Sequence, residues 1–410
     1  MHTFGAVAFI ITLAAVFAYI NKKFLGLPTV IGLMLISLVV SLVITGMGML
    51  GVNLALLSRI GTEINAIDFN KTLMHGMLSF LLFAGALTID INDLAGSKWI
   101  ISLLATLGVI TATLLVGYAG FFILSLAGFG VPLIYCLLFG ALISPTDPVA
   151  VLAVIRSAGA PKSLETIIAG ESLFNDGVGV VVFLVLSEIA AKGGPVSMAH
   201  IFSIFAREAG GGIVFGLCAG YAAFLMIRRI DDYQTEILLT LALVMGGYAL
   251  ASALHISGPI AIVVAGLLIG NHGRLLGMSE KTRLHLDNFW ELIDEILNAA
   301  LFVLIGLELL FIPVISGYAW AGLAMIPVVL AARFISVSAP ISILDRWKKF
   351  PPGTVKILTW AGLRGGISIA LALSLPAGHT RDAIVAMTYV VVVFSILVQG
   401  TTLGRMLAKK

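Results

Sequence analysis

Charge is the scarcest property of this sequence. Of 410 residues, 24 are Lys or Arg and 21 are Asp or Glu, together 11% of the chain. That is less than half the roughly 25% usual for soluble domains. So few charges could not cover the surface of a soluble protein this size. A soluble enzyme, a nucleic-acid binder and a disordered chain are therefore excluded. Cysteine is almost missing: Cys136 and Cys218 both sit in apolar runs, which leaves neither a disulfide framework nor a CxxC metal site. His2, His75, His255, His272 and His285 fall near the ends of apolar runs, and no pair has metal-ligand spacing. The first apolar run lacks a basic n-region and a small-residue cleavage site, so a retained span is expected rather than a signal peptide. The net charge of +3 is too small to imply an anionic partner,. Hydrophobic residues fill what remains, at 60% of the chain and a mean hydropathy of +1.11. The chain reads as an all-α polytopic membrane protein.

A helix crossing the hydrocarbon core needs about 20 mostly apolar residues. About 13 such segments are expected, at 4–20, 28–47, 72–90, 99–126, 131–155, 162–191, 200–228, 234–254, 256–270, 284–311, 316–342, 354–376 and 382–408. No connection is long enough for an independent soluble domain, and no regulatory domain is expected after the last span. Basic residues set the sidedness. Loops after odd-numbered spans and the tail hold Lys22, Lys23, Lys98, Arg156, Lys162, Arg228, Arg229, Arg274, Lys281, Arg283, Arg346, Lys348, Lys349, Arg405, Lys409 and Lys410. Loops after even-numbered spans hold only Arg59, Lys71, Lys192 and Arg381. The positive-inside rule then places the N-terminus outside and the C-terminus in the cytoplasm of a cell membrane.

Segments seven spans apart resemble one another. Span 2 reads LPTVIGLMLISLV and span 9 SGPIAIVVAGLLIG; span 3 contains LLFAGALTID and span 10 LFVLIGLELL. Spans 5 and 12 each carry a helix-breaking cluster, SPTDP at Ser144–Pro148 and GLRGG at Gly362–Gly366. An odd offset makes paired spans cross in opposite directions, so two six-span inverted repeats joined by span 7 are expected. Such repeats, with a matched pair of interrupted helices, point to a secondary transporter whose binding site lies at the breaks. A merely kinked structural helix would need neither the Asp nor the matching Gly-rich break.

Ionisable groups deep in the membrane are costly and are functional candidates by default. Pro145 and Pro148 cannot donate to the helix ladder, which frees nearby carbonyls, while Thr146 adds a hydroxyl and Asp147 a carboxylate. Oxygen donors of this kind suit a small hard cation such as Na⁺. Span 6 reads ESLFNDGVG from Glu171. Helical spacing stacks Glu171 under Asn175 and Ser172 under Asp176. Asp176 and Ser172 are expected to face the break of span 5, with Glu171 and Asn175 as a neighbouring ledge. Glu171 needs a cationic neighbour to stay ionised in low dielectric; Arg333 and Arg364 both qualify, and spacing does not choose between them. Gly365 and Gly366 belong to the second break. Arg207 and Glu208 read as structural, and Glu308 as interfacial. Glu291, Asp294 and Glu295 read either as a solvated helix end or as the lining of a cation-concentrating funnel.

At these residues the chain resembles the monovalent cation:proton antiporter superfamily, in its sodium/proton exchanger (NhaP/NHE-type) branch. The likeness runs through SPTDPVAV, AGESLFNDGVGVVVF, SGPIAIVVAGLLIGN, FWELIDEILNAALFVLIGLEL and WAGLRGGISIALALSLP. It implies a homodimer in the lipid bilayer. Residues 1–95 and 197–315 (spans 1–3 and 7–10) would form a dimerisation scaffold, and residues 96–196 and 316–410 (spans 4–6 and 11–13) a mobile ion-transport core. It implies Na⁺ binding at Asp176 with Asp147, Thr146 and Ser172, with Asn175 a further ion- or proton-binding candidate, and a charge-compensating pair of Glu171 with Arg364 or Arg333. Asn175 before Asp176 resembles the electroneutral branch, implying one Na⁺ per H⁺. Many relatives carry an acid where this chain has Ala84, so a role for that acid is not expected here. The resemblance implies exchange of Na⁺, with Li⁺ a further candidate, for H⁺ by alternating access, serving sodium and pH homeostasis. No cofactor, enzymatic activity or nucleic-acid partner is expected. A K⁺/H⁺ exchanger of the same fold is the nearest alternative. A channel would need a symmetric filter loop, and an intramembrane aspartyl protease a GxGD signature in place of NDGVG.

Overall fold

Among the described residues the long apolar runs fold as helix, because a backbone in hydrocarbon must satisfy its hydrogen bonds internally. The computed structural model describes residues 2–50, 69–192, 197–274, 277–310, 318–346 and 349–408. Arg59, Lys348, Lys409 and Lys410 of the charge bias lie outside these residues. In chain order the helices are α1 (Gly5–Leu25), α2 (Thr29–Gly48), α3 (Thr72–Thr88) and α4 (Lys98–Leu126). Then come α5 (Leu133–Ile143), α6 (Val149–Ser157) and α7 (Lys162–Lys192). Next are α8 (Ala199–Ile227), α9 (Tyr233–Ala253), α10 (Gly258–Gly273) and α11 (Glu280–Glu308). The last are α12 (Tyr318–Leu344), α13 (Thr354–Trp360), α14 (Gly366–Leu373) and α15 (His379–Leu407). No strand occurs among the described residues. Eight of these helices are long and apolar enough to cross a membrane.

The helix ends follow local chemistry. Ser279 caps α11 by accepting from the Thr282 amide, so the helix begins four residues before the apolar run starting at 284, over a polar first turn that a hydropathy window passes over. Ser257 caps α10 in the same way through Ile260. The SPTDP run separates α5 from α6, and the GLRGG run separates α13 from α14. Pro327 and Pro340 lie inside α12 without ending it, as is common where neighbouring helices re-satisfy the freed groups.

Large apolar side chains such as Leu107, Phe122, Tyr221 and Met245 point outward, as expected where lipid replaces water. Inside, α3, α8, α9, α10 and α11 share a cluster built around Trp290, Phe83, Tyr248 and Phe224. A larger cluster joins α4, α5, α7, α12 and α15 through residues such as Phe139, Phe183, Met325 and Met387. Helices approach closely where side chains are small. A methyl group at Gly140 of α5 would collide with the Thr113 carbonyl of α4.

Gly140→Ala is therefore expected to destabilise the fold by about 1–3 kcal/mol. A lower melting temperature in detergent would register this. Gly46→Ala in α2, where no atom lies within 4 Å of an added methyl group, should leave it unchanged or raise it.

Candidate functional site

The two interrupted helices cross at their breaks. The Asp147 amide donates to the Leu363 carbonyl at 2.8 Å, tying one unwound segment to the other. Each helix that stops here ends in carbonyls without a helical partner, and each end meets a buried guanidinium. Arg364, from the second break, donates to the Ser144 and Pro145 carbonyls at 2.5 and 2.9 Å, beyond the C-terminus of α5. Arg333 donates from Nε and Nη2 to the Leu358 carbonyl at 3.3 and 3.2 Å, near the C-terminus of α13. Gln399 takes the Trp360 carbonyl at 3.1 Å, and the Ser395 hydroxyl accepts from the Arg364 amide at 2.9 Å. Both side chains come from a wider π-helical turn in α15, Ser395–Gln399. Cations at helix C-termini also complement the macrodipole. At the opposite kind of end, the Asp147 carboxylate accepts from the Val149 amide at 2.9 Å, in the first turn of α6.

The glycines of GLRGG make these approaches possible. A side chain at Gly362 would overlap the Arg333 guanidinium, and one at Gly365 would overlap the Asp147 carboxylate. Gly366 similarly gives way to Leu301.

Helix α7 supplies the rest. Glu171 pairs with Arg333, not Arg364: Arg333 Nη1 meets Oε1, and Nη2 meets Oε2 at 2.9 Å. The pair is fork-to-fork and buried, with Glu171 1% and Arg333 6% exposed. Such a pair has little net worth as a stabiliser but is expensive to break from one side. Thr146 is held by Asn175 and Ser172. Its amide donates to Asn175 Oδ1 at 3.3 Å, its hydroxyl accepts from Asn175 Nδ2 at 2.9 Å, and the Ser172 hydroxyl lies 2.9 Å away. Asn175 therefore belongs with the break rather than on a ledge with Glu171. Stacking along a helix places two side chains on one face, but the wide face here meets α12 on one side and the break on the other.

Asp176 and Asp147 both line a cavity of about 590 Å³. Pro145, Thr146, Pro148, Gly365, Gly366 and Ala84 line it as well, as do Glu291, Asp294 and Glu295 of α11. These three acids lie in the middle of α11, not at a solvated helix end, and form part of the cavity wall. Asp147 and Asp176 lie within electrostatic range of each other, and among the described residues neither makes an ion pair. Among those residues no group of His, Cys, Asp and Glu has the arrangement of a metal centre. Oxygen donors around an acid suit a hard cation. Arg207 and Glu208 pair with each other at 3.6 Å, away from this cavity.

Two features of the site went unread in the sequence. Asp287 lines the same cavity and pairs with Arg274. Asn298 lines it one turn beyond Asp294. The spacing of 287, 291, 294 and 298 marks one helix face and is the signal that would have found them.

Comparisons with known proteins agree with this geometry. A model of the family described as sodium/hydrogen exchanger, transmembrane, matches residues 11–409. The chain is 52% identical over 402 residues to the Na(+)/H(+) antiporter NhaP of Pseudomonas aeruginosa, covering 97% of this chain and 95% of that one. It is 37% identical over 346 residues to the Na(+)/H(+) antiporter NhaH of Halobacillus aidingensis, 83% of each chain. Its fold matches that of the sodium proton antiporter MjNhaP1 from Methanocaldococcus jannaschii with a TM-score of 0.77 at 21% identity, covering 100% of this chain and 99% of that one.

Glu171→Gln leaves the Arg333 guanidinium buried without its charge partner, a loss expected to cost about 3–5 kcal/mol. Thermal unfolding in detergent should show a marked drop. A variant as stable as the parent but unable to transport would place Glu171 in the ion path instead.

Proposed function

Because the chain belongs to the sodium/hydrogen exchanger family, we propose that it is a secondary transporter exchanging Na⁺ for H⁺ across a cell membrane by alternating access. The observation that carries this reading is the convergence of Asp176, Asp147 and both helix breaks on one cavity. Asp176 holds either a proton or a Na⁺, never both. Asp147 and the hydroxyls of Thr146 and Ser172 supply further oxygens, and Asn175 fixes Thr146 in place. The loaded site moves between the two sides; an empty, uncompensated carboxylate does so only at high cost. Inward H⁺ movement then drives Na⁺ outward. Arginine does not deprotonate in proteins, so Arg333 and Arg364 are compensating charges and not proton carriers. K⁺ is less favoured as the substrate, since the relatives above are named for Na⁺.

Several finer assignments belong to the same reading. The chain crosses the membrane 13 times as two inverted six-span repeats. The pairing of α2 with α11 and of α3 with α10 supports this, because an offset of seven spans maps one pair onto the other. Spans 4–6 and 11–13 move as the core against a scaffold of spans 1–3 and 7–10, and the scaffold forms a homodimer. The apolar cluster shared by α3, α8, α9, α10 and α11 supports treating those helices as one body. The N-terminus lies outside and the C-terminus in the cytoplasm, on the strength of the basic residues. With a single transporting acid and an amide at Asn175, the exchange is one Na⁺ for one H⁺. Ala84 lines the cavity without contributing a charge.

In proteoliposomes, Asp176→Asn should abolish Na⁺-driven proton flux while the protein still folds; flux retained in that variant would remove Asp176 from the role. Clamping the membrane potential should leave the exchange rate of the parent unchanged, and a clear voltage dependence would refute the 1:1 ratio. A pH jump comparing Na⁺, Li⁺ and K⁺ reads the selectivity in the same vesicles.

A further inference from the structure

The cavity that holds Asp176 is closed at its outer end by a single polar tie between two helices. Arg156 and Arg274, both among the basic residues assigned to the cytoplasmic side, line its inner end. Going outward, the described lining stops at Leu73 on α3 and at Ser368 on α14. Just past both stops, the Asn70 side-chain amide donates to the Ala370 carbonyl at 2.6 Å. Asn70 lies in the helical turn Phe69–Lys71 that leads into α3.

The packing around this bond divides α3 in two. Phe69, Leu73 and Met77 are buried in the same apolar cluster as Ala370, Leu371 and Leu375. Further along, Phe83 and Leu87 belong instead to the cluster shared with α8, α9, α10 and α11. Tyr248 of α9 fixes the outer part of α3 to that second body, its hydroxyl donating to the Met74 carbonyl at 2.6 Å. Met74 lies in a π-helical turn, Thr72–Met77. The Asn70 bond therefore joins a segment held by one body to a helix of the other. It is also reversible at small cost. Ala370 stands in the last turn of α14, and its carbonyl already accepts from the Ser374 amide at 3.0 Å. Asn70 fills the second lone pair, so its departure leaves no orphaned carbonyl. When α14 moves away and water enters, the amide exchanges one acceptor for another, a net difference of about one ordinary hydrogen bond.

We propose that Asn70 is a positioning residue for exchange: its bond to Ala370 latches the outer end of α3 to α14, seals the outer route while the cavity is open to the cytoplasm, and so sets the balance between the two access states. The latch rests on the exchange, the two moving bodies and the sidedness proposed above. A bond made in only one state adds its whole worth to that state. Removing it raises the outward-open fraction, and the apparent affinity for external Na⁺ rises with that fraction.

The test compares right-side-out and everted membrane vesicles carrying the full-length protein, with the half-saturating Na⁺ for exchange read from each face. In Asn70→Ala the external value should fall roughly two- to tenfold, the worth of one hydrogen bond, while the cytoplasmic value stays the same or rises. Asn70→Asp keeps the size of the side chain but cannot donate when ionised. It should shift the external value in the same direction, and it decides should the Ala variant fold poorly. A merely structural role would lower the melting temperature in detergent and change both faces alike. The latch is overturned if the external value does not fall, or if both values fall together. Failure of the exchange reading is a different result, namely persistent coupled flux in Asp176→Asn vesicles.

Discussion

A helix that stops inside a membrane leaves carbonyls that water cannot reach, and the rest of this structure is arranged around satisfying them. Two helices stop in this way. The answer in each case is a buried arginine: Arg364 on the Ser144 and Pro145 carbonyls, Arg333 on the Leu358 carbonyl. A buried guanidinium in turn needs compensation. Arg333 receives it from Glu171 as a full ion pair, while Arg364 relies on the carbonyl dipoles it caps. The glycines at 362 and 365 follow from the same demand, since they admit the Arg333 guanidinium and the Asp147 carboxylate to the backbone of the break.

With both arginines committed to backbone and to Glu171, Asp147 and Asp176 are left facing the cavity with no fixed positive partner among the described residues. That arrangement suits a binding site better than a structural one. A permanently paired acid would gain nothing from an arriving cation. An unpaired acid in such a cavity must take its compensation from whatever cation or proton arrives. On the face of α11 that lines the cavity, Asp294 shares this condition among the described residues, whereas Asp287 is paired with Arg274.

Much of this was legible in the sequence, and the parts that were not share a cause. Long apolar runs fix where helices cross, and SPTDP and GLRGG announce where two of them stop, because Pro and Gly act on the backbone locally. The choice of Arg333 over Arg364 for Glu171 was not legible. Periodicity says which residues share a face of one helix and nothing about which helix lies opposite. The same limit misplaced Asn175, which helical stacking grouped with Glu171 but which the fold turns towards Thr146. The early start of α11 at Glu280 was hidden because a polar, capped first turn contributes no hydropathy. Asn298 was overlooked because a lone Asn in an apolar run becomes conspicuous only once the fold places it in the cavity wall beyond Asp294.

The division of roles along two turns of α7 sets where charge stands at the break. Each step along a helix turns the side chain by about 100°, so neighbours such as Asn175 and Asp176 cannot do the same work. Asn175 both accepts from the Thr146 amide and donates to the Thr146 hydroxyl, a two-way bond that an amide makes and an ionised carboxylate cannot. An ionised acid there could accept but not donate. It would loosen Thr146 and bring a second charge into a space where Asp176 already stands uncompensated. The amide thus serves the architecture of the break without adding a second ionised group beside Asp176.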